Sequence, residues 1–173
     1  MMMLRLRALT KAIMILSVAV FAAVGAAAQG GAVVLEGAPL ARVVPTSFYF
    51  EGQSAPTQTR NTAAAKFATD RYVIVGLVDT SGYSSDVRAK YQGFFITDSP
   101  VRVGGRELGT GAYGFGFTDD GHLNILDIGG RQVLSAPATK DAKIQRPRPI
   151  LITVDSGEVR FYSGRDYAVI NTR

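Results

Sequence analysis

The sequence predicts an all-β fold, a single antiparallel β-sandwich or open barrel, behind an N-terminal export segment. Short runs rich in β-branched and aromatic residues are separated by repeated turn signals, which is typical of consecutive antiparallel strands. No apolar period of 3.6 residues is sustained from residue 29 onward, so the crossover helices of an α/β fold are excluded. The turn signals stand at 104–105, 120–121, 129–130, 156–157 and 163–164.

Residues 1–28 have the charged, apolar and small-residue order of a secretory signal peptide. An acid-free basic stretch precedes the apolar run 12–24, and three alanines end at Ala28, where cleavage before Gln29 is predicted. A retained membrane anchor is the alternative, but the apolar run is shorter than the ~20 residues of a spanning helix. We therefore predict one domain at 29–173, periplasmic or extracellular, with no stable membrane span after cleavage.

Charge and residue types exclude several classes of function. The chain has 19 basic and 14 acidic residues, but three bases lie in the export segment, so 16 against 14 leaves the domain at +2. Without a dense Lys/Arg run, no nucleic-acid partner is predicted. The absence of cysteine and the presence of one histidine exclude thiol catalysis and two-histidine metal motifs. We expect no cofactor and no metal.

The first half of the domain is predicted to centre on one buried strand. Residues 72–78 are apolar almost without interruption, which favours a strand buried on both faces, and Gly76 indicates a bulge or a close backbone approach. Residues 43–50 predict another strand. A polar loop is expected at 51–62, followed by a single helical turn at 63–68.

The second half is predicted to alternate between strands and tight turns. Ser84 is placed to cap one turn of helix through Ala89. Asp120-Gly121 is typical of a two-residue hairpin turn, in which both central residues have positive φ. Arg146-Pro147-Arg148-Pro149 is interpreted as the extended approach to a strand, with a proline-rich docking motif as the alternative. Further strands are predicted at 33–35, 91–97, 101–103, 112–118, 123–128, 132–135, 150–154, 159–161 and 167–170.

Four residues are the predicted ligand contacts: Arg60, Asn61, Asp79 and Tyr83. The segment 79–86 follows the central strand and is rich in hydroxyl groups and carboxylates, and functional residues concentrate on loops held by a rigid scaffold. Arg60 and Asn61 offer fork-like donors to an anionic or sugar ligand. The alternatives are a turn with a helix cap for 79–86, and a structural role for Arg60 and Asn61 in holding their own loop.

Two other motifs are interpreted as structural. Residues 109–114 match the letters G-x-G-x-x-G of a dinucleotide site, but a strand rather than a helix follows them, so the glycines are assigned to a turn and a tight sheet. Asp119 and Asp120 lie beside His122, the only cluster of acids with the histidine. Because Asp120-Gly121 is itself a turn signal, this cluster is interpreted as a solvated hairpin tip.

Residues 101–115 contain a strand, a Gly-Gly turn, a leucine and then a Gly-x-Tyr-Gly segment. This hairpin resembles one found in small uncharacterised secreted β-proteins of bacteria, and the similarity extends over 91–127, about a quarter of the domain. The resemblance implies an exported β-domain. It implies no activity and no site residue.

Three functions follow from these observations as hypotheses. The first is a non-enzymatic exported domain that binds a small molecule, a glycan or an envelope protein at the bacterial cell envelope. The second is a glycan-acting hydrolase or lyase that uses paired carboxylates such as Asp79 and Asp86. The third is a structural subunit of an envelope assembly, which buries a sheet edge against its partner.

Overall fold

Two antiparallel β-sheets pack against each other in this computed structural model, which describes residues 31–67 and 70–172. The export segment predicted at 1–28 lies outside the described residues. Neither sheet closes on itself, so the all-β prediction is confirmed as a sandwich. In chain order the described strands and helices are β1 (Val33–Val34), α1 (Gly37–Val43), β2 (Ser47–Phe50), β3 (Gln53–Phe67), β4 (Arg71–Val78), α2 (Ser85–Lys90), β5 (Gly93–Thr97), β6 (Val101–Val103), β7 (Arg106–Leu108), β8 (Gly111–Thr118), β9 (His122–Leu126), β10 (Gln132–Pro137), β11 (Thr139–Lys140), β12 (Arg148–Asp155), β13 (Glu158–Gly164) and β14 (Asp166–Thr172).

The larger sheet, sheet I, has the strand order β1-β3-β4-β5-β8-β9-β10, and β2 pairs with the first part of β3. The smaller sheet, sheet II, has the order β12-β13-β14-β6-β7, and β11 pairs with β14. No helix among the described residues is long and apolar enough to span a membrane.

The main core lies between the two sheets. Val73, Val75 and Phe95 of sheet I meet Ile152 and Phe161 of sheet II there, and all five are at most 2% exposed. A second apolar cluster lies on the opposite face of sheet I, since neighbouring residues on a strand point to opposite faces. This outer cluster consists of Phe48, Phe50, Ala55, Val78, Tyr83, Tyr91, Phe94 and Leu126.

The prediction for β4 is confirmed because the strand contributes to both clusters. Val73 and Val75 pack in the main core, whereas Ile74 and Val78 pack in the outer cluster. The expected close approach at Gly76 is also present: a Cβ built at Gly93 would lie 2.0 Å from the Gly76 carbonyl oxygen. Only glycine therefore fits at position 93 without moving the backbone.

The predicted loop at 51–62 and the helical turn at 63–68 are wrong, because residues 53–67 form the long strand β3. Ala63 and Ala65 belong to the main core, where they pack beside the larger side chains of β4. Alanine has little intrinsic preference for strands, so its strand conformation here comes from burial and pairing with β4 rather than from local propensity.

The boundaries of two other elements differ from expectation. The strand predicted at 43–50 begins only at Ser47, since α1 occupies 37–43. The hairpin at Asp120-Gly121 is present, but Thr118 pairs with His122, so its loop has three residues. Gly121 alone has positive φ in that loop, as expected when a left-handed residue ends a three-residue loop.

Candidate functional site

Arg60 and Asn61 lie in a wide bulge in the middle of β3. Thr57 pairs with Val78 and Thr62 with Gly76, so four residues of β3 stand opposite one residue of β4. The Asn61 amide donates to Gln58 Oε1 at 2.8 Å. Gln58 Nε2 in turn donates to the Val78 carbonyl at 3.0 Å. Asn61 therefore helps to hold the bulge.

Arg60 is exposed at the same bulge and has no hydrogen-bond or ion-pair partner within the described part of the chain. Its guanidinium is free to meet a ligand or solvent. The bulge stands opposite Leu77 and is fastened to the Val78 carbonyl through Gln58, whereas Asp79 follows Val78 at the end of β4.

Asp79 is exposed and organises the turn that follows β4. Its Oδ1 accepts a hydrogen bond from the Ser81 N–H at 3.0 Å, and this bond holds the pKa of Asp79 below its usual range. The Asp79 N–H donates to the Pro56 carbonyl at 2.9 Å. The turn-and-cap interpretation of 79–86 is confirmed, since Ser84 also caps α2 by accepting from the Val87 N–H at 3.4 Å.

Tyr83 lies beneath this surface in the outer cluster. Its side chain is 6% exposed, and its hydroxyl donates towards the carbonyl oxygens of Phe50 and Gln53, each 3.2 Å away. Burial raises the pKa of Tyr83 above its ordinary value. The structure thus brings Arg60, Asn61 and Asp79 to one end of the β3–β4 pair but leaves the Tyr83 ring almost no surface for a ligand.

A different site, absent from the sequence predictions, lies between the two sheets. Two adjoining hollows of about 310 and 330 Å³ share Gln92 and Ser163 and form what we call the polar cleft. The first hollow is also lined by Gln58, Leu77, Val78, Thr80, Arg88, Tyr91 and Pro149. The second is also lined by Phe117, Thr118, Asp119, Gly121, Lys140 and Asp166.

Gln92 is rigidly held where the hollows meet. Its Nε2 donates to the Phe117 carbonyl, and its Oε1 accepts from the Phe117 N–H, both at 3.1 Å. The Gln92 side chain therefore takes the place of a backbone partner for Phe117 and holds β8 against the segment before β5. Gln92 is therefore a fixed part of the wall of the cleft.

The two hollows differ in charge. Arg88 is an exposed cation in the first hollow, and Asp119 is an exposed anion in the second. Neither has an ion-pair partner among the described residues. Lys140 and Asp166 neutralise each other at 3.1 Å. The cleft can therefore present unpaired groups of both signs, together with the hydroxyls of Thr80 and Ser163, to a polar ligand.

The three residues of the histidine cluster, Asp119, Asp120 and His122, line two different hollows. His122 Nδ1 lies 3.5 Å from Asp120 Oδ2, and the Thr118 hydroxyl donates to Asp120, which lowers the pKa of that carboxyl. A third hollow of about 250 Å³ contains these groups, whereas Asp119 lines the polar cleft. Over residues 31–67 and 70–172, no group of three or more His, Cys, Asp or Glu side chains is arranged to hold a metal ion.

Sequence reasoning missed the polar cleft because its lining comes from seven strands and α2. No spacing along the chain joins Gln58, Arg88 and Asp119, and only the strand order brings their elements together. No family model, curated protein or solved structure matches this chain. Its function is therefore inferred from the geometry of the site.

Proposed function

We propose that this chain is an exported, non-enzymatic binding domain of the bacterial cell envelope, whose polar cleft holds a short glycan. The proposal of export depends on the residue pattern of 1–28. The observation that carries the binding role is the junction of two hollows at Gln92 and Ser163. The two hollows lie side by side at these residues, so an extended ligand can contact the lining of both.

The lining of the cleft supports a polyhydroxylated ligand. Thr80 and Ser163 supply hydroxyls, and Gln58 supplies an amide, so both donors and acceptors are available. Leu77 and Phe117 add apolar surface beside these groups. Ligand sites commonly combine an apolar wall with a few polar groups that fix orientation, and a sugar ring presents matching apolar faces and hydroxyl edges.

Binding is favoured over the hydrolase alternative by the positions of its proposed carboxylates. Neither Asp79 nor Asp86 lines the polar cleft. Asp79 accepts the Ser81 N–H, and Asp86 lies in the first turn of α2 and accepts from the Ser85 hydroxyl at 3.4 Å. Both carboxylates therefore already serve local turn and helix structure.

The test is a calorimetric titration of the purified protein with chito-oligosaccharides, cello-oligosaccharides and soluble peptidoglycan fragments. We expect at least one glycan to bind, with Arg88→Ala and Asp119→Ala weakening its affinity about tenfold, the usual effect of losing a charged hydrogen bond. Arg60→Ala is the matched control, because Arg60 lies on the bulge and outside the cleft.

Three results would contradict the proposal. If none of the glycans binds, the glycan class is wrong. If Arg60→Ala weakens binding while the cleft variants do not, the ligand occupies the bulge instead. Release of shortened oligosaccharides during the titration would make the protein a hydrolase.

A further inference from the structure

The positive charge of the described chain is concentrated at one corner of the sandwich. We call residues 139–149 and 163–166 the basic corner. It contains five Lys/Arg and two Asp side chains, a net charge of +3, whereas the other described residues carry ten bases and twelve acids, a net charge of −2. A charge of opposite sign on the rest of the molecule gives the domain a preferred orientation in an electric field.

The two segments of the basic corner are held together by strand pairing and hydrogen bonds. Arg148 at the start of β12 pairs in register with Gly164 at the end of β13. Arg165 Nε donates to the Ile144 carbonyl at 3.1 Å, and the Asp141 N–H donates to the Arg165 carbonyl at 2.8 Å. The cations of both segments therefore belong to one surface.

Four of the five cations have no counter-charge. Lys140 is paired with Asp166, and the Asp141 carboxylate accepts from the Tyr162 hydroxyl at 3.1 Å and from the Lys143 N–H at 2.9 Å. The other four are exposed and have no ion-pair partner among the described residues: Lys143, Arg146, Arg148 and Arg165. A group of unpaired cations is attracted most strongly by a partner that carries several negative charges.

The arrangement of these four cations suits a surface of phosphates rather than one small anion. Lys143, Arg146 and Arg148 follow one another along a segment with a turn and a bend that leads into β12, and Pro147 and Pro149 restrict the backbone on both sides of Arg148. None of the four cations lines either hollow of the polar cleft or the third hollow beside His122. Arginine presents a planar fork of donors that binds phosphate oxygens in pairs.

We propose that the basic corner docks the domain onto a membrane surface of anionic phospholipids, with Lys143, Arg146, Arg148 and Arg165 contacting the lipid phosphates. The four cations are not part of the lining of the polar cleft, but Lys140, Pro149, Ser163 and Asp166 of the basic corner are, so the docking surface lies next to the cleft.

Sedimentation with sucrose-loaded vesicles tests the proposal. The purified protein is mixed with phosphatidylcholine vesicles, with or without phosphatidylglycerol, at low salt. We expect binding only when phosphatidylglycerol is present, and loss of binding near 1 M salt, where the screening length falls to ~3 Å. Each Lys or Arg near an anionic bilayer strengthens binding about fivefold, so the triple variant Arg146→Gln/Arg148→Gln/Arg165→Gln is expected to bind on the order of 100-fold more weakly.

The matched control removes the same charge from elsewhere, as Arg42→Gln/Arg71→Gln/Arg106→Gln. These three arginines are exposed and lie outside the basic corner. Both triple variants keep the same N-terminal segment, so any contribution of that segment cancels, and circular dichroism checks their folds. The double variant Arg146→Gln/Arg148→Gln leaves the Arg165–Ile144 contact intact.

The control variant is expected to retain the binding of the unaltered protein. Equal losses in the two triple variants would overturn the proposal, because net charge alone would then explain the binding. No sedimentation with phosphatidylglycerol would also overturn it. So would tighter, arginine-dependent binding to soluble polygalacturonate, which would assign the corner to an anionic polysaccharide.

Discussion

Tyr83 and Tyr91 lie in ring contact in the outer cluster but differ in what their hydroxyls meet. Their ring centroids are 5.4 Å apart. The Tyr83 hydroxyl reaches two backbone carbonyls, whereas the buried Tyr91 hydroxyl makes no hydrogen bond of normal geometry and has the Tyr83 hydroxyl as its polar neighbour. A buried polar group without a well-formed hydrogen bond costs free energy, so the two hydroxyls have opposite effects on stability.

We expect Tyr91→Phe to raise the free energy of unfolding by about 1 kcal/mol, since a buried hydroxyl without a well-formed hydrogen bond is removed while the ring still stacks on Phe50. Tyr83→Phe is the matched control and is expected to lower it by about 1 kcal/mol, because a satisfied hydrogen bond is lost. Urea denaturation of both variants measures the difference. A loss of stability in Tyr91→Phe would show that its hydroxyl has a partner.

The ionisation of Tyr91 makes the free energy of unfolding depend on pH. Burial raises the pKa of Tyr91 well above its ordinary value, so the folded state keeps the proton that the unfolded state loses near pH 10. The ionisation of Tyr91 therefore leaves the free energy of unfolding unchanged below about pH 10 and lowers it as the pH rises further. In the same urea series, Tyr91→Phe is expected to show a smaller loss of stability above about pH 10 than the unaltered protein.

At the scale of elements, α2 is fixed to sheet I through a glycine. A Cβ built at Gly116 of β8 would lie 2.2 Å from the carbonyl oxygen of Lys90, the last residue of α2. Lys90 is also tied to the sheet through its ion pair with Glu51 at 2.7 Å and its hydrogen bond to the Gly130 carbonyl at 3.3 Å. The helix end therefore has little room to move away.

Gly116→Ala is expected to lower the free energy of unfolding by about 1 to 3 kcal/mol, since either α2 or β8 must shift. Gly82→Ala is the matched control. A Cβ at Gly82 would meet only the Gln53 side chain, at 3.8 Å, so little change is expected there. Thermal unfolding distinguishes the two, and equal midpoints would contradict the close contact between α2 and β8.

The contrast between β3 and β4 explains which elements the sequence predicts. Burial on both faces gives β4 a continuous apolar run, which can be recognised from the sequence alone. In β3, small and polar residues are extended because β1, β2 and β4 pair with them. The same holds for the candidate site: Arg60 and Asp79 were found from local composition, whereas the polar cleft exists only once the strand order is known.

At the scale of the whole molecule, one aromatic residue of sheet II joins the two sheets. Phe161 is fully buried, and its ring lies 6.2 Å from Phe95, 5.1 Å from Phe115 and 5.3 Å from Phe117, centroid to centroid. All three partners belong to sheet I. Because the polar cleft is bounded by both sheets, its shape depends on this shared core as well as on its own lining.

We expect Phe161→Ala to lower the free energy of unfolding by about 3 to 5 kcal/mol, a large part of the 5–15 kcal/mol typical of a domain. Phe161→Leu is the matched control and is expected to cost less, since it leaves a smaller cavity. Urea unfolding is followed by far-ultraviolet dichroism for the strands and by near-ultraviolet dichroism for tyrosine packing. Coincident transitions are expected, because neither sheet can bury its inner face without the other. Two separate transitions would mean that the sheets unfold independently. A small effect of Phe161→Ala would mean that Phe95, Phe115 and Phe117 hold the sheets together without the Phe161 ring.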